Sequence, residues 1–274
     1  MGRLDLVIKI GSMALIRKNE NDIDYNVLSR LGADLKPGVA LISSGATEIG
    51  RLDYIKRAGR ELTGEKDYVI TDYAAQGQAI LMSQYRQFIR PEYSVRQVLV
   101  EHTHFNDPAK REHIRRFLLR CPGQNAVPVI NYNDPVSAEE NRKLELSALR
   151  LSADAVVECI DNDETAVVIA GLVGARILVI LASTEGIYRE AENPATLVES
   201  VTGADSSEIE QNIRILQDSC VGSSRAGAQG ARAKLEYVIP AVKSGVTVII
   251  GNSRHRVTAL VRGMVPCTRI ELKR

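Results

Sequence analysis

The chain has few aromatic residues and almost no net charge. Phe, Tyr and Trp together make up 4% of its 274 residues, Trp is absent, and the formal net charge is +1. A scarcity of rings disfavours a surface that stacks on single-stranded bases. A neutral balance provides no general attraction to a nucleic-acid backbone or an anionic membrane. We therefore expect neither a nucleic-acid nor a membrane partner.

Long apolar runs and metal-binding patterns are also missing. No stretch is long enough to cross a bilayer, and Lys9 interrupts the first apolar segment too early for a signal peptide. The four histidines have no metal-ligand spacing, and no cysteines form a Cys-x-x-Cys pair. These absences favour a cytoplasmic protein without a resident metal, with reduced thiols at Cys121, Cys159, Cys220 and Cys267.

The sequence does contain a regular alternation of two kinds of segment. Short runs rich in Val and Ile predict strands, and longer segments with helical periodicity lie between them. Such an alternation, with continuously apolar strands, predicts an α/β fold: a three-layer αβα sandwich around a mostly parallel sheet. The predicted strands are 4–10, 39–42, 95–100, 126–130, 156–159, 177–181 and 246–250, and the predicted helices are 23–34, 68–89, 110–119, 206–217 and 231–244.

Small or acid–amide residues follow several of the predicted strands. Ligands of open α/β sheets bind beyond the carboxyl ends of the strands, so these turns together indicate a binding site. Each turn taken alone is also compatible with an ordinary connection. The turns contain Gly11 and Ser12; Ser44, Gly45 and Ala46; Asn131 and Asp134; Asn162 and Asp163; and Ser183 and Gly186.

Lys9 lies in a strand that is otherwise apolar, close to Gly11. One interpretation is that its amine reaches solvent from the strand end. Another is that it supplies a positive charge to a phosphate, which Gly11 allows to approach the backbone. Neither a Walker A pattern nor a Rossmann glycine pattern is present, so a nucleotide would need another arrangement.

Two further segments carry charge next to predicted helix starts. Residues 161–164, Asp-Asn-Asp-Glu, either cap the following helix or supply a carboxylate that holds lysines or meets a metal-bound phosphate. A Gly- and Ala-rich stretch precedes the helix that carries Lys234. That stretch is either an anion site at a helix N-terminus or a flexible loop beside a surface lysine.

These motifs, in this order, resemble the amino acid kinase family and, within it, the glutamate 5-kinases. The resemblance rests on "VIKIGS", "ALISSGATEIG", "AAQGQAILMSQYRQFI", "VPVINYNDPV", "DNDETAVVIAGLVG", "EGIY" and "GARAKLEYVIP", which span nearly the whole chain. It implies one domain over residues 1–274, with the acceptor site in 1–175 and the nucleotide site in 176–274. It also implies a homo-oligomer, a dimer or a tetramer. The PUA domain of many glutamate 5-kinases is expected to be absent.

The resemblance implies phosphorylation of a carboxylate by ATP with Mg²⁺, most specifically of glutamate to γ-glutamyl 5-phosphate in proline biosynthesis. Lys9 and Lys234 would neutralise the moving phosphoryl group, and Asp163 would hold both lysines. The implied nucleotide contacts are Lys9, Gly11, Ser12, Ser183, Gly186, Tyr188, Gly227, Gly230 and Lys234. The implied acceptor contacts are Ser44, Gly45, Ala46, Asn131, Asp134 and Asn162.

The chain departs from the family pattern in three places. Ala182 and Ser183 replace a Thr-Asp pair, and residues 227–231 replace a Gly-Thr-Gly-Gly-Met loop. Residues 135–161 form a longer connector, predicted as a helical or strand-like insertion over the acceptor site or at a subunit contact. Its apolar side would comprise Leu144, Leu146, Leu149 and Leu151. The departures leave two alternatives open: a kinase for another acid, carbamate or phosphate, and a non-catalytic nucleotide-binding subunit.

Overall fold

A computed structural model of the chain describes residues 3–137, 139–152, 156–159, 161–190, 193–220 and 228–273. The strands are β1 Leu6–Ile10, β2 Ile16–Arg17, β3 Asp22–Ile23, β4 Val39–Ser43, β5 Ser94–Val100, β6 Ala126–Tyr132, β7 Ile177–Ala182, β8 Ile187–Tyr188, β9 Leu197–Val198, β10 Ser200–Gly203, β11 Thr247–Asn252 and β12 Cys267–Leu272. The helices are α1 Tyr25–Asp34, α2 Ala46–Ala58, α3 Lys66–Phe88, α4 His102–Asn106, α5 Pro108–Arg120, α6 Glu139–Ser152, α7 Asn162–Val173, α8 Ser206–Ser219, α9 Ala228–Lys243 and α10 Val257–Val261.

Eight of the strands form one sheet in the order β10-β12-β11-β7-β1-β4-β6-β5. The six strands from β11 to β5 run parallel, whereas β12 runs antiparallel to β11 and pairs in parallel with β10. The predicted mostly parallel α/β sheet is confirmed. Because β1 lies between β7 and β4, the carboxyl ends of these strands meet at one edge near the middle of the sheet.

Apolar cores cover both faces of the sheet. Along the strands, alternate side chains enter different cores: Val7 and Val248 pack with α5, α7, α8 and α9, whereas Ile8 and Ile249 pack with α1, α2, α3 and α10. This alternation is the two-residue period of a strand buried on both faces. It produces the expected three layers. No helix in the described ranges combines the length and the apolar character needed to traverse a bilayer.

The prediction of a strand at 156–159 is wrong. This segment precedes α7 and has no regular secondary structure. The backbone N–H of Val157 donates to Asn106 Oδ1 at 2.9 Å, and its carbonyl accepts from Asn106 Nδ2 at 2.8 Å. The side-chain amide of Asn106 thus satisfies the groups that a neighbouring strand would otherwise pair.

The long connector forms the helix α6. Only Leu146 among its predicted apolar positions is buried, since Leu149 is half-buried and Leu144 and Leu151 are 70% and 91% exposed. The helix therefore packs along one narrow stripe. Glu145, next to Leu146, lies with Oε2 2.9 Å from Nε2 of the buried His102.

Two glycines bring α2 and α3 into close contact. A Cβ atom on Gly77 would lie 1.8 Å from the carbonyl oxygen of Ala46, and one on Gly50 would lie 1.9 Å from that of Tyr73. No side chain fits at either position, so the helices approach at backbone distance. The first residue of α2 is thereby held directly against α3.

Candidate active site

Lys9 is buried in the centre of the sheet and paired with a carboxylate. Its neighbours in register are Ile42 of β4 and Ile180 of β7. Its Nζ lies 2.7 Å from Asp163 Oδ1, and the two side chains are 6% and 26% exposed. The contact is an ion pair without the alignment of a directed hydrogen bond. The Lys9 side chain is therefore almost completely buried, and the expected pairing with Asp163 is present.

Three consecutive residues at the start of α7 have three different roles. Asp161 caps the helix, since its Oδ1 accepts from the N–H groups of Asp163 at 2.8 Å and Glu164 at 2.9 Å. Asn162 Oδ1 accepts from the backbone N–H of Tyr132 at 2.8 Å, which fixes the end of β6. The third residue, Asp163, pairs its carboxylate with the amine of Lys9. The two interpretations of this acidic cluster, cap and lysine partner, thus apply to different residues.

The amine of Lys234, in α9, interacts electrostatically with both Asp163 and Lys9. Burial lowers the pKa of its amine, the charge of Asp163 opposes that shift, and the charge of Lys9 adds to it. The fold therefore places two lysines from distant parts of the chain where each feels the charge of Asp163, although among the described residues only Lys9 lies within ion-pair distance of that carboxylate. A glycine neighbours each amine: a Cβ on Gly11 would meet Lys9 Nζ at 3.7 Å, and one on Gly230 would meet Lys234 Nζ at 3.9 Å.

Tyr237 belongs to this group although the sequence analysis did not identify it. It follows Lys234 by three positions on α9, so the two side chains lie on one face of the helix. Burial raises the pKa of its hydroxyl, and the charges of Asp161, Glu164 and Asp163 raise it further. The helical spacing from Lys234 was the available signal.

The small residues after β1 and β4 form one layer beside Lys9. The N–H of Ser44 donates to the carbonyl of Ile10 at 3.0 Å, at the end of β1. Gly45 has φ +107°, and a Cβ there would lie 3.0 Å from Leu15 Cδ1 and 3.8 Å from Ser12 Cα. Glycine is therefore suited to this position by both backbone angle and space. The structure brings together Gly11, Ser12, Ser44, Gly45 and Ala46.

Polar groups at the end of β6 form the predicted acceptor side. Asn131 Nδ2 donates to the carbonyl of Ser43, whereas its Oδ1 is buried without a hydrogen-bond partner. Burial raises the pKa of the Asp134 carboxyl to about 6; the charge of Arg142 on α6 lowers it, and that of Asp161 raises it. Arg142, which the sequence analysis missed, therefore adds a cation to this side.

Three of the predicted nucleotide contacts, Ser183, Gly186 and Tyr188, lie in the segment directly after β7. Ser183 is exposed, and its carbonyl accepts from Asn252 Nδ2 at 3.0 Å. A Cβ on Gly186 would lie 2.4 Å from Thr268 Oγ1, so this glycine permits the turn to pack against β12. Tyr188 is half-buried in β8. Gly227 lies outside the described residues.

A second charged group links the loops after β7 and β11. Glu185 lies 2.7 Å from His255 Nε2 and 2.6 Å from Arg254 Nη2. The sequence analysis missed these contacts because Glu185 lies 69 positions from Arg254 and 70 from His255. In the ranges that the structure describes, no three His, Cys, Asp or Glu side chains form a group able to hold a metal ion.

Residues 6–252 match the sequence model of the amino acid kinase family. The chain is 30% identical to a glutamate 5-kinase of Gloeobacter violaceus, over 98% of this chain and 69% of that protein. It is 30% identical to glutamate 5-kinase 2 of Bacillus subtilis, over 90% of this chain and 62% of that protein. A third glutamate 5-kinase, from Alkaliphilus metalliredigens, is 28% identical over 91% and 88%.

Solved structures share the fold at much lower sequence identity. UMP kinase from Ureaplasma parvum superposes with a TM-score of 0.57 at 10% identity, over 99% of this chain and all of the other. An isopentenyl phosphate kinase in a substrate complex gives a TM-score of 0.54 at 12% identity, over 98% and 99%. These similarities show a common fold.

Proposed function

Because this chain belongs to the amino acid kinase family, we propose that it is a small-molecule kinase that transfers a phosphoryl group from ATP to a carboxylate, with glutamate as the acceptor. The observation that carries the proposal is the grouping of Lys9, Lys234 and Asp163. The identity to glutamate 5-kinases supports the choice of acceptor. The separation into an acceptor side, 1–175, and a nucleotide side, 176–274, is part of the same proposal.

The proposed chemistry consists of alignment and charge stabilisation. A carboxylate oxygen attacks the γ-phosphorus, the bond to the leaving oxygen of ADP breaks, and an acyl phosphate forms without a proton transfer. A carboxylate is already ionised at neutral pH, so no general base is required. Lys9 and Lys234 neutralise charge on the moving group, and Asp163 orients the amines between turnovers. The small residues of the β1 and β4 turns let the phosphates and the acceptor approach the backbone.

Mg²⁺ enters this proposal with the nucleotide. Mg²⁺ is commonly held by one or two carboxylates together with substrate phosphates. Asp163 is already paired with Lys9, and Asp161 caps α7, which supports binding of the ion chiefly through ATP. The ion would offset phosphate charge. We also propose a cytoplasmic homo-oligomer of two or four subunits, as in the family.

The proposal is tested by ADP release from purified protein with ATP, Mg²⁺ and L-glutamate, measured through a coupled enzyme assay. We expect glutamate-dependent turnover well above the rate without acceptor. A rate indistinguishable from that background, for glutamate and for a panel of other small acids, carbamates and phosphates, would contradict the kinase proposal and favour a non-catalytic subunit.

Arg142 favours a second candidate function: phosphorylation of an acceptor with an additional anionic group. Asp134, which would bind a substrate ammonium, already interacts with this cation. We expect Arg142→Gln to weaken binding of the more anionic acceptor and to leave KM for ATP unchanged, because the side chain lies at the acceptor side. KM values for glutamate, a dicarboxylate without an amino group, and a phosphonate separate the two candidates. Arg150→Gln, on the exposed end of α6, is the control.

Asp134 makes acceptor binding dependent on pH. Its pKa of about 6, raised mainly by burial, means that the charge is lost as the pH falls through 6. We expect KM for glutamate to rise below pH 6, because a neutral carboxyl no longer attracts the ammonium group.

Since the folded state holds the proton more tightly than the unfolded state, Asp134 contributes stability below pH 4 that is lost as the pH rises through 6.

Asp134→Asn should therefore raise the melting temperature at pH 7 and remove this part of the pH dependence of KM. Kinetics and thermal melts between pH 5 and pH 8 measure both effects. A parallel KM profile in the variant and the wild type would contradict the assignment.

A further inference from the structure

Gln78 of α3 is a buried amide without a protein partner. The residue is 7% exposed, and neither its Oε1 nor its Nε2 makes a hydrogen bond. Most buried amide groups are hydrogen-bonded, because leaving one unpaired in a protein interior is costly. Both ends of the same carboxamide lack a partner here, which points to a ligand that supplies the missing bonds.

Gln217 shows what an ordinary buried glutamine in this chain looks like. It is 8% exposed, almost the same as Gln78. Its Nε2 donates to the carbonyl of Arg232 at 3.1 Å and lies 3.0 Å from Glu236 Oε2. Burial alone therefore does not account for the unpaired amide of Gln78.

The position of Gln78 on α3 places the residue near the elements of the acceptor side. Gln78 follows Gly77, which touches Ala46 at the start of α2, and it shares the inward face of α3 with Tyr85. The hydroxyl of Tyr85 is 2.6 Å from Ser43 Oγ at the end of β4. The helix also packs against the short turn Asp134–Val136.

A second unpaired atom lies in the same region. The Oδ1 of Asn131 has no partner, while its Nδ2 is bonded to the carbonyl of Ser43. Ser43 is thus contacted by both Asn131 and Tyr85, which anchors the two elements that carry unpaired amide atoms. A ligand between them would meet donors and acceptors from two directions.

We propose that Gln78 is a further acceptor-binding residue, whose carboxamide hydrogen-bonds the amino-acid head group of the acceptor. The Nε2 group donates to a carboxylate oxygen, and Oε1 accepts from an ammonium group. This complementarity to a zwitterion rests on the proposed function and assigns one more contact to the same site.

Gln78→Met tests this role, since methionine has a similar length and flexibility and no amide. We expect KM for L-glutamate to rise about tenfold, equivalent to one good hydrogen bond to a charged group. KM for ATP should be unchanged. The melting temperature without ligand should stay the same or rise, because an unpaired buried amide has been removed. Gln217→Met, the matched control, should lower the melting temperature and leave both KM values unchanged.

The two readouts distinguish the possible failures. A Gln78→Met variant with lower stability and an unchanged KM for glutamate would overturn the proposal and indicate a structural amide satisfied by water. Absence of turnover in the wild type would refute the proposed function. Calorimetric titration with L-glutamate would then decide the role of Gln78: binding weakened in the variant supports it, and equal binding or no binding overturns it.

Discussion

Replacing Lys9 with methionine is expected to abolish turnover and to destabilise the fold. The amine is buried and lies 2.7 Å from Asp163. Loss of one preorganised charge at a reaction centre lowers kcat by about 10²–10³-fold. Loss of one partner from a buried ion pair costs about 3 kcal/mol, because the carboxylate of Asp163 loses the only cation in direct contact with it among the described residues. Coupled kinetics and urea unfolding measure the two effects.

The surface pair Lys56–Asp22 provides a matched control. Its charged atoms are also 2.7 Å apart, but the side chains are 56% and 36% exposed. Lys56→Met should change stability by less than about 1 kcal/mol and leave kcat unchanged. Equal effects of the two substitutions would contradict a special role for Lys9.

The double variant Lys9→Met with Asp163→Asn separates stability from catalysis. Removing both members leaves neither of them as an unpaired charge, so part of the lost stability should return. The activity should not return, because the positive charge is still missing. Recovery of turnover in the double variant would show that the pair has only a structural role.

Replacing Lys234 with methionine is expected to abolish turnover while raising stability. Its pKa is lowered chiefly by burial, so the folded state disfavours the charged amine. The unfolded state then binds the proton more tightly, and stability rises with pH through the alkaline range. Methionine removes this unfavourable charge. At pH 7 the variant should melt at a higher temperature, and its stability should depend less on pH above neutrality.

The lowered pKa of Lys234 also sets an alkaline limit on activity. As the amine loses its proton, the charge that stabilises the phosphoryl group disappears, so kcat/KM of the wild type, which reports ionisations of the free protein, should fall at a lower pH than for an ordinary lysine. Lys243→Met, near the end of the same helix, is the control, since this amine is on the surface 2.5 Å from Glu210. A Lys234→Met variant with normal kcat would contradict the proposed role.

The sequence predicted the sheet, and it grouped the candidate site residues at one sheet edge, because both inferences depend on local patterns. Runs of Val and Ile located β1, β4, β6, β7 and β11, and the small residues after them located one sheet edge. The segment 156–159 misled the prediction because the backbone groups of Val157 are paired by Asn106, a distant side chain, and not by a neighbouring strand. No local pattern reports such a partner.

The side-chain environment of the site depends on packing that the sequence does not display. The helical spacing of Gln78 indicates a position on the buried face of α3. Only the packed structure shows that its amide lacks a partner. Arg142 is one of several charges on α6, and only the fold brings it near Asp134. Lys9 and Lys234 were matched through a family resemblance, since 225 positions separate them.

Trapping of the product with hydroxylamine tests the central claim most directly. Acyl phosphates react with hydroxylamine to give hydroxamates, so ATP, Mg²⁺ and L-glutamate should yield one hydroxamate for each ADP with the wild-type protein. Lys9→Met and Lys234→Met should yield almost none. Release of ADP without hydroxamate, or hydroxamate formation that survives both substitutions, would contradict phosphoryl transfer to a carboxylate between these two lysines.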